Sequence, residues 1–166
     1  IRDRASLPAR RFVVVGIEEA KPAPGVVDAL RNADVIVFPP SNPIVSIGTI
    51  LAVPGIADEI RATRAPVVGI SPIISGAPVR GMADACLRAS GIETSAAAVA
   101  AHYGARSSGG LLDGWLVDTS DAASTPVIEQ AGITTRAVPL LMTDLDATAA
   151  MAAETLGLAS RLRSTP

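Results

Sequence analysis

The sequence contains few aromatic residues, a single cysteine and no excess of positive charge. Its aromatic side chains are Phe12, Phe38, Tyr103 and Trp115, too few for the stacking platforms that bind single-stranded nucleic acid. The net charge is -2 at pH 7 and no Lys/Arg cluster is present, so we expect no nucleic-acid partner. One cysteine, Cys86, cannot form an internal disulfide, which indicates a reducing compartment, and we predict a cytoplasmic protein.

The sequence also lacks the common signatures of membranes, metals and nucleotides. The longest apolar runs are far shorter than the roughly 18 residues that a membrane span needs, so we expect no membrane partner. It has no Cys/His spacing of the zinc type, no G-x-G-x-x-G motif and no Walker A motif. Any nucleotide would therefore have to be held by other groups.

Aliphatic residues dominate instead, because the hydrophobic set makes up 49% of the chain. Short β-rich runs alternate with helical stretches, which predicts one α/β domain over residues 1–166 with a doubly wound, mostly parallel, Rossmann-like sheet. Strands are predicted at 11–17, 34–38, 66–70, 114–118 and 133–140. Helices are predicted at 24–32, at 45–63 with a break at Pro54-Gly55, at 81–89 and at 146–162. A further helix, capped by Thr94 or Ser95, is predicted to run to about residue 103. We expect Leu156 and Leu158 to lie on the core side of the last helix.

Two of the predicted strands end in loops of similar chemistry. The first loop is Ser41-Asn42-Pro43 and the second is Ser71-Pro72-Ile73. Ligands of open parallel sheets bind beyond the carboxyl ends of the strands, where hydroxyl and backbone N–H groups donate to phosphate oxygens. We therefore predict that the two loops bind a phosphate-bearing ligand; the alternative is that both are ordinary turns.

Three more residues are candidates at the same edge of the sheet. Arg80 precedes a predicted helix, where it either pairs with a phosphate or is a solvated surface arginine. Thr143 and Asp144 follow the last predicted strand, where they either contact the ligand or cap the closing helix.

The order and spacing of several segments resemble a known family. The segments are DVIVFPPSNPIVSIGTILAVPGI at 34–56, SPII at 71–74, PVRGMAD at 78–84, AAAV at 96–99, HYG at 102–104 and PLLMTD at 139–144. They resemble the 2-phospho-L-lactate transferase family of coenzyme F-420 biosynthesis, and most closely its actinobacterial phosphoenolpyruvate transferase branch. The similarity extends over about residues 34–149.

The resemblance implies transfer of a phosphoenolpyruvyl or 2-phospholactyl group from a GDP-linked donor, enolpyruvyl- or lactyl-2-diphospho-5′-guanosine. The implied acceptor is the deazaflavin precursor 7,8-didemethyl-8-hydroxy-5-deazariboflavin, and the products are (dehydro) coenzyme F-420-0 and GMP. It also implies Mg²⁺ as cofactor and a homodimer. Such chemistry needs positioning and charge neutralisation rather than a covalent nucleophile. The alternative is a non-catalytic regulatory protein of the same fold that binds a nucleotide sugar.

The resemblance is to the carboxyl-terminal part of the family. The family's glycine-rich opening strand and turn, and the aspartates that follow for metal and deazaflavin, have no counterpart here. We therefore expect the catalytic residues and metal ligands upstream of this chain, no metal ligands within it, and no activity from the chain alone. The substrate-binding candidates are Ser41, Asn42, Pro43, Ser46, Ser71, Pro72, Ile73, Arg80, Thr143 and Asp144.

Overall fold

Residues 9–164 are described here from a computed structural model. The strands are β1 (Ile36–Phe38), β2 (Val67–Ile70), β3 (Ile73–Ile74), β4 (Ala77–Pro78), β5 (Gly114–Asp118) and β6 (Thr134–Val138). The helices are α1 (Val26–Asn32), α2 (Gly48–Leu51), α3 (Ile56–Ala62), α4 (Ala83–Ala89), α5 (Ala96–Tyr103), α6 (Thr125–Gln130) and α7 (Leu145–Ser164). A π-helical turn spans Pro43–Ile47, and 3-10 turns span Ile17–Glu19, Arg106–Ser108 and Thr119–Ser124.

The central sheet has four parallel strands in the order β1-β2-β5-β6, so strand order follows chain order. Helices cover both faces because alternate residues of each strand point to opposite sides. One face packs against α3, α4, α5 and α6. The other packs against α7 through Met151, Leu158 and Ala159. The predicted α/β class with a mostly parallel sheet is confirmed.

The core on the first face is built around the ring of Trp115. This ring is fully buried and lies against Gly69 of the neighbouring strand, where a Cβ atom would approach ring carbon Cζ3 to 2.4 Å. Tyr103 packs edge-on between Trp115 and Phe38, with ring centroids 6.0 and 5.3 Å away respectively. Glycine at position 69 therefore makes room for the largest side chain of the core.

An ion pair stabilises the edge of the sheet where β2 and β5 begin, opposite their carboxyl ends. Arg106 and Asp113 pair at 2.6 Å, and Arg106 also donates to the carbonyl groups of Thr63 and Ala65. Asp113 in turn accepts from the backbone N–H of Val67 at 2.8 Å. The pair thus satisfies backbone groups that the start of β2 leaves unpaired.

Several local predictions were wrong. Residues 11–17 form no strand; Val13 and Val15 are 66% and 92% exposed, and a strand exists only where a neighbour completes its hydrogen bonds. Helix α6 and the β3–β4 hairpin were not predicted from the sequence. Leu156 is exposed, whereas Leu158 is buried as predicted. In the part of the chain that is described, no single helix is long and apolar enough to cross a membrane.

Candidate functional site

A cleft of about 920 Å³ opens beyond the carboxyl ends of the strands. Its walls are the loop after β1, the segment from the end of β2 to the start of α4, and the segment after β6. Seven of the ten substrate-binding candidates line this cleft: Ser41, Asn42, Ser46, Ser71, Pro72, Arg80 and Thr143. The structure thus brings both serine–proline loops to one cavity. Pro43 and Ile73 lie outside its lining with buried side chains.

Asn42 organises the first loop. Its Oδ1 atom accepts hydrogen bonds from the backbone N–H groups of Ile44 at 2.9 Å and Val45 at 3.1 Å. Asn42 is thereby the N-cap of the π-helical turn, with Pro43 at its first position. Because the carboxamide oxygen is used in the cap, the Nδ2 amide is the part of this side chain left for a ligand.

Ser71 organises the second loop and is 1% exposed. Its hydroxyl donates to the Ile73 carbonyl at 2.8 Å and accepts from the Ile73 N–H at 3.1 Å. Its own N–H donates to the Leu116 carbonyl of β5. The hydroxyl proton is therefore engaged within the loop, which assigns this side chain to holding the loop's shape.

Arg80 lies between β4 and α4 and is exposed. It is the one charged side chain in the lining of the cleft, as far as the described residues go. Within residues 9–164 it has neither an ion-pair partner nor a hydrogen-bond partner. A guanidinium in this setting is suited to an anionic ligand, because its planar fork of N–H groups matches phosphate oxygens.

Asp144 caps α7, the second of the two roles that its position allows. Its Oδ1 atom accepts from the N–H of Ala147 at 2.8 Å, and its other oxygen faces the Thr143 hydroxyl at 3.2 Å. The hydrogen bond from Ala147, followed by that from Thr143, holds the pKa of Asp144 below its ordinary range. Asp144 is outside the lining of the cleft, while Thr143 is part of it.

Asp118, which was not among the residues predicted from the sequence, joins the turn after β5 to the segment after β6. This carboxylate is 7% exposed and accepts from the N–H and hydroxyl of Ser120 at 2.9 and 2.7 Å. Its second oxygen accepts from the Leu140 N–H at 2.9 Å. Burial acts to raise the pKa of Asp118, but the donors of Ser120 and Leu140 outweigh it and lower the pKa. A signal was available, since an aspartate ending a buried strand is a turn-forming residue.

The described residues do not fit a magnesium site. Nowhere along 9–164 do three His, Cys, Asp or Glu side chains come together as a metal-binding group. The cleft lining described above contains no carboxylate, although Mg²⁺ is usually held through one or two.

This chain is similar to proteins of one known family. The family model described as 2-phospho-L-lactate transferase CofD matches residues 1–156. A phosphoenolpyruvate transferase of Streptomyces griseus is 62% identical over 164 residues, 99% of this chain and 50% of that protein. One of Streptomyces coelicolor is 63% identical over 163 residues, 98% of this chain and 50% of that protein.

The chain thus spans about half the length of the curated relatives that it matches. A crystal structure of a Bacillus halodurans protein matches with a TM-score of 0.54 at 21% identity, covering 82% of this chain and 47% of that one. At this identity the match supports the fold alone. The match to the family model over residues 1–156 and the Streptomyces relatives together show that this chain belongs to the 2-phospho-L-lactate transferase (CofD) family.

Proposed function

We propose that this chain supplies the donor-binding wall of a transferase of coenzyme F-420 biosynthesis. The full-length protein would move a phosphoenolpyruvyl or 2-phospholactyl group from a GDP-linked donor to the deazaflavin precursor. The donor's diphosphate would lie in the cleft between the loop after β1 and the residues that precede α4. Family membership and the names of the relatives support the class of reaction, and the cleft supports the position of the donor.

The observation that carries this proposal is Arg80. An arginine without a partner, facing a cavity whose lining has no carboxylate, is the arrangement that favours a phosphate over a cation. Ser41 and Ser46 line the same cavity and add hydroxyl donors. The Nδ2 amide of Asn42 is a further donor, because its oxygen is engaged in the N-cap.

The apolar part of the lining supports a flat, aromatic acceptor beside the donor. Val79, Met82, Leu141 and Met142 are exposed large hydrophobic residues, and all four line the cleft. Methionine side chains adapt their shape and pack well against aromatic rings. A deazaflavin ring system would cover this surface while its ribityl chain reaches the donor.

The proposed reaction transfers the phosphoenolpyruvyl or 2-phospholactyl group in a single displacement at phosphorus. A ribityl hydroxyl oxygen attacks the phosphorus that carries the enolpyruvyl or lactyl group and forms a new P–O bond, and the hydroxyl proton passes to solvent. The P–O bond to GMP breaks, and GMP leaves with the electron pair. Arg80 would offset the charge that develops on the leaving phosphate. We assign no step here to Mg²⁺, whose ligands would come from other parts of the full-length protein.

Calorimetric titration of the full-length protein with GDP in the presence of Mg²⁺ tests the proposal. Arg80→Ala should weaken GDP binding by about tenfold or more, because a charge-assisted hydrogen bond contributes about 1.5–3 kcal/mol. Arg64→Ala is the matched control, since Arg64 is exposed and lies before β2, away from the cleft. Equal affinity in wild type and Arg80→Ala would refute the assignment of the cleft.

Turnover distinguishes the enzyme from a regulatory protein with the same cleft. The transferase should release GMP from the GDP-linked donor only when the deazaflavin acceptor is present. Tight nucleotide binding by the full-length protein without GMP release would favour the regulator. The homodimer and the cytoplasmic location remain predictions, to be checked by sedimentation and by cell fractionation.

A further inference from the structure

The β3–β4 hairpin leads directly to Arg80, and its turn is held by residues outside the cleft. The two turn residues are Ser75 and Gly76, with φ values of 51° and 74°. Two positive φ values in succession are the geometry of a type I′ turn, in which Asn, Asp or Gly is preferred at the first position. Serine there is unfavourable by itself, because non-glycine residues pay a steric cost in the left-handed region.

Asp121 provides the contact that holds this turn. Its Oδ2 atom accepts a hydrogen bond from the backbone N–H of Ser75 at 2.9 Å. The Ser75 hydroxyl donates to the Ser120 hydroxyl, also at 2.9 Å, and Ser120 donates onward to Asp118 at 2.7 Å. The turn therefore connects to the end of β5, about 45 residues away in sequence, through two independent hydrogen bonds.

The same chain of contacts reaches the opposite wall of the cleft. Asp118 accepts from the N–H of Leu140, and Leu140 begins the segment after β6 that lines the cavity. The wall that carries Arg80 and the wall of residues 140–143 are thus joined by one hydrogen-bonded path beneath the cleft. Ser75, Ser120 and Asp121 lie outside the lining of the cleft.

We propose that Asp121 is a positioning residue that, through Ser75, sets the hairpin so that Arg80 meets the phosphate of the donor. This inference rests on the proposed function, because it presumes that Arg80 binds the GDP moiety. It assigns a role in ligand binding to a side chain that touches no ligand. Asp121 should therefore act on GDP affinity through the position of the hairpin and of Arg80, and not by touching the ligand.

A double-mutant cycle on the full-length protein, titrated with GDP and Mg²⁺, tests this dependence. Asp121→Ala should weaken GDP binding about fivefold to tenfold, the loss expected for one ordinary intramolecular hydrogen bond. Asp121→Asn should stay within about threefold of wild type, because its amide oxygen still accepts from Ser75. In the Arg80→Ala background, Asp121→Ala should weaken binding less than about twofold further. Glu129→Ala, an exposed carboxylate on α6, is the control.

A second variant keeps the test decisive if Asp121→Ala does not fold. Ser75→Gly favours the turn conformation and keeps the backbone N–H that donates to Asp121. Asp121→Ala in this background should therefore fold, and it should bind GDP threefold or more weakly than Ser75→Gly alone. Equal affinity of these two folded variants would show that Asp121 does not position the hairpin for binding, and that result would overturn the proposal.

The outcomes separate this inference from the proposed function. If Arg80→Ala weakens GDP binding while Asp121→Ala does not, the cleft stands and the positioning role is wrong. If the two substitutions each weaken binding and their effects multiply in the double variant, Asp121 acts independently of Arg80 and the proposal is also wrong. If Arg80→Ala binds GDP as wild type does, both the site and its positioning residue are refuted.

Discussion

Replacing Asp118 with alanine should lower the free energy of unfolding by more than a typical substitution at the end of a strand does. The substitution removes three hydrogen bonds at once, two from Ser120 and one from the N–H of Leu140. These bonds differ in consequence, because Ser120 is exposed whereas Leu140 is only 3% exposed. The donors of Ser120 can turn to water, but the Leu140 N–H cannot.

The magnitude follows from that difference. A buried donor left without an acceptor costs about 1–3 kcal/mol, and loss of the cap at the start of the 3-10 turn Thr119–Ser124 adds about 0.5–1 kcal/mol. We therefore expect Asp118→Ala to lower the free energy of unfolding by about 1.5–4 kcal/mol. The exposed Glu93, which has no such partner among the residues described, should tolerate alanine with a change below about 0.5 kcal/mol.

Urea unfolding at pH 7, followed by tryptophan fluorescence, measures this change. Trp115 is the single tryptophan of the sequence and is fully buried, three residues before Asp118 on the same strand. Its emission therefore reports the environment of the strand that the substitution disturbs. Equal slopes of the free energy against urea concentration in the two proteins would show that both unfold from comparable states.

The pH dependence provides the second part of this prediction. The pKa of Asp118 is lowered in the folded protein, so its ionised form stabilises the fold at pH values above the ordinary carboxyl pKa of about 3.9. This contribution is lost as the pH falls through the lowered value. The difference between wild type and Asp118→Ala should accordingly shrink below about pH 4. A difference under about 0.5 kcal/mol at pH 7, or one that grows toward acid, would refute the reasoning.

Three other substitutions probe the core and the loops. Gly69→Ala should lower the free energy of unfolding by about 1–3 kcal/mol, because the new Cβ overlaps the ring of Trp115. Urea unfolding measures this change, and an unchanged free energy of unfolding would mean that the ring moves aside. Ser71→Ala should lower the free energy of unfolding, measured by thermal unfolding, by about 1–2 kcal/mol, since both hydrogen bonds to Ile73 are lost in a buried loop. Unchanged stability with weaker GDP binding would instead indicate that the Ser71 side chain contacts the ligand directly. Ser95→Ala should cost about 1 kcal/mol by removing the N-cap of α5, and circular dichroism during heating would detect it, whereas an unaltered midpoint would argue against the cap.

The sequence predicted the buried strands well for a physical reason. Residues 35–38, 66–70 and 114–117 are continuous runs without a polar side chain, and such runs are typical of parallel strands covered on both faces. Residues 11–17 contain a similar run, Phe12 to Val15, yet form no strand, because hydrophobicity alone does not supply a neighbouring strand. The helices predicted to end at 89 and near 103 do end at Ala89 and Tyr103. The glycines that follow them, Gly91 and Gly104, have positive φ values of 70° and 72°, which glycine adopts more readily than other residues.

The site was predictable only in outline. The rule that ligands lie beyond the carboxyl ends of parallel strands placed both loops at one edge, and the structure brings them to one cleft. The hydrogen bonds that fix the cleft were not predictable from local sequence, because they join distant residues. Asp118 and Leu140 are 22 positions apart and Ser75 and Asp121 are 46 apart; their meeting depends on the register of β5 against its neighbours.

The order in which helices pack on the two faces of the sheet affects how the chain folds during its synthesis. In residues 9–164, α7 is the helix that packs on the second face of the sheet, and it follows all four strands in the chain. Helices on the first face alternate with the strands, so that half of the core is able to assemble while translation continues. Within residues 9–164, Val68, Ile70 and Leu116 of the second face are covered by α7, the last helix to leave the ribosome. A form of residues 9–164 that lacked this helix would expose an apolar sheet surface, the kind that aggregates or engages chaperones.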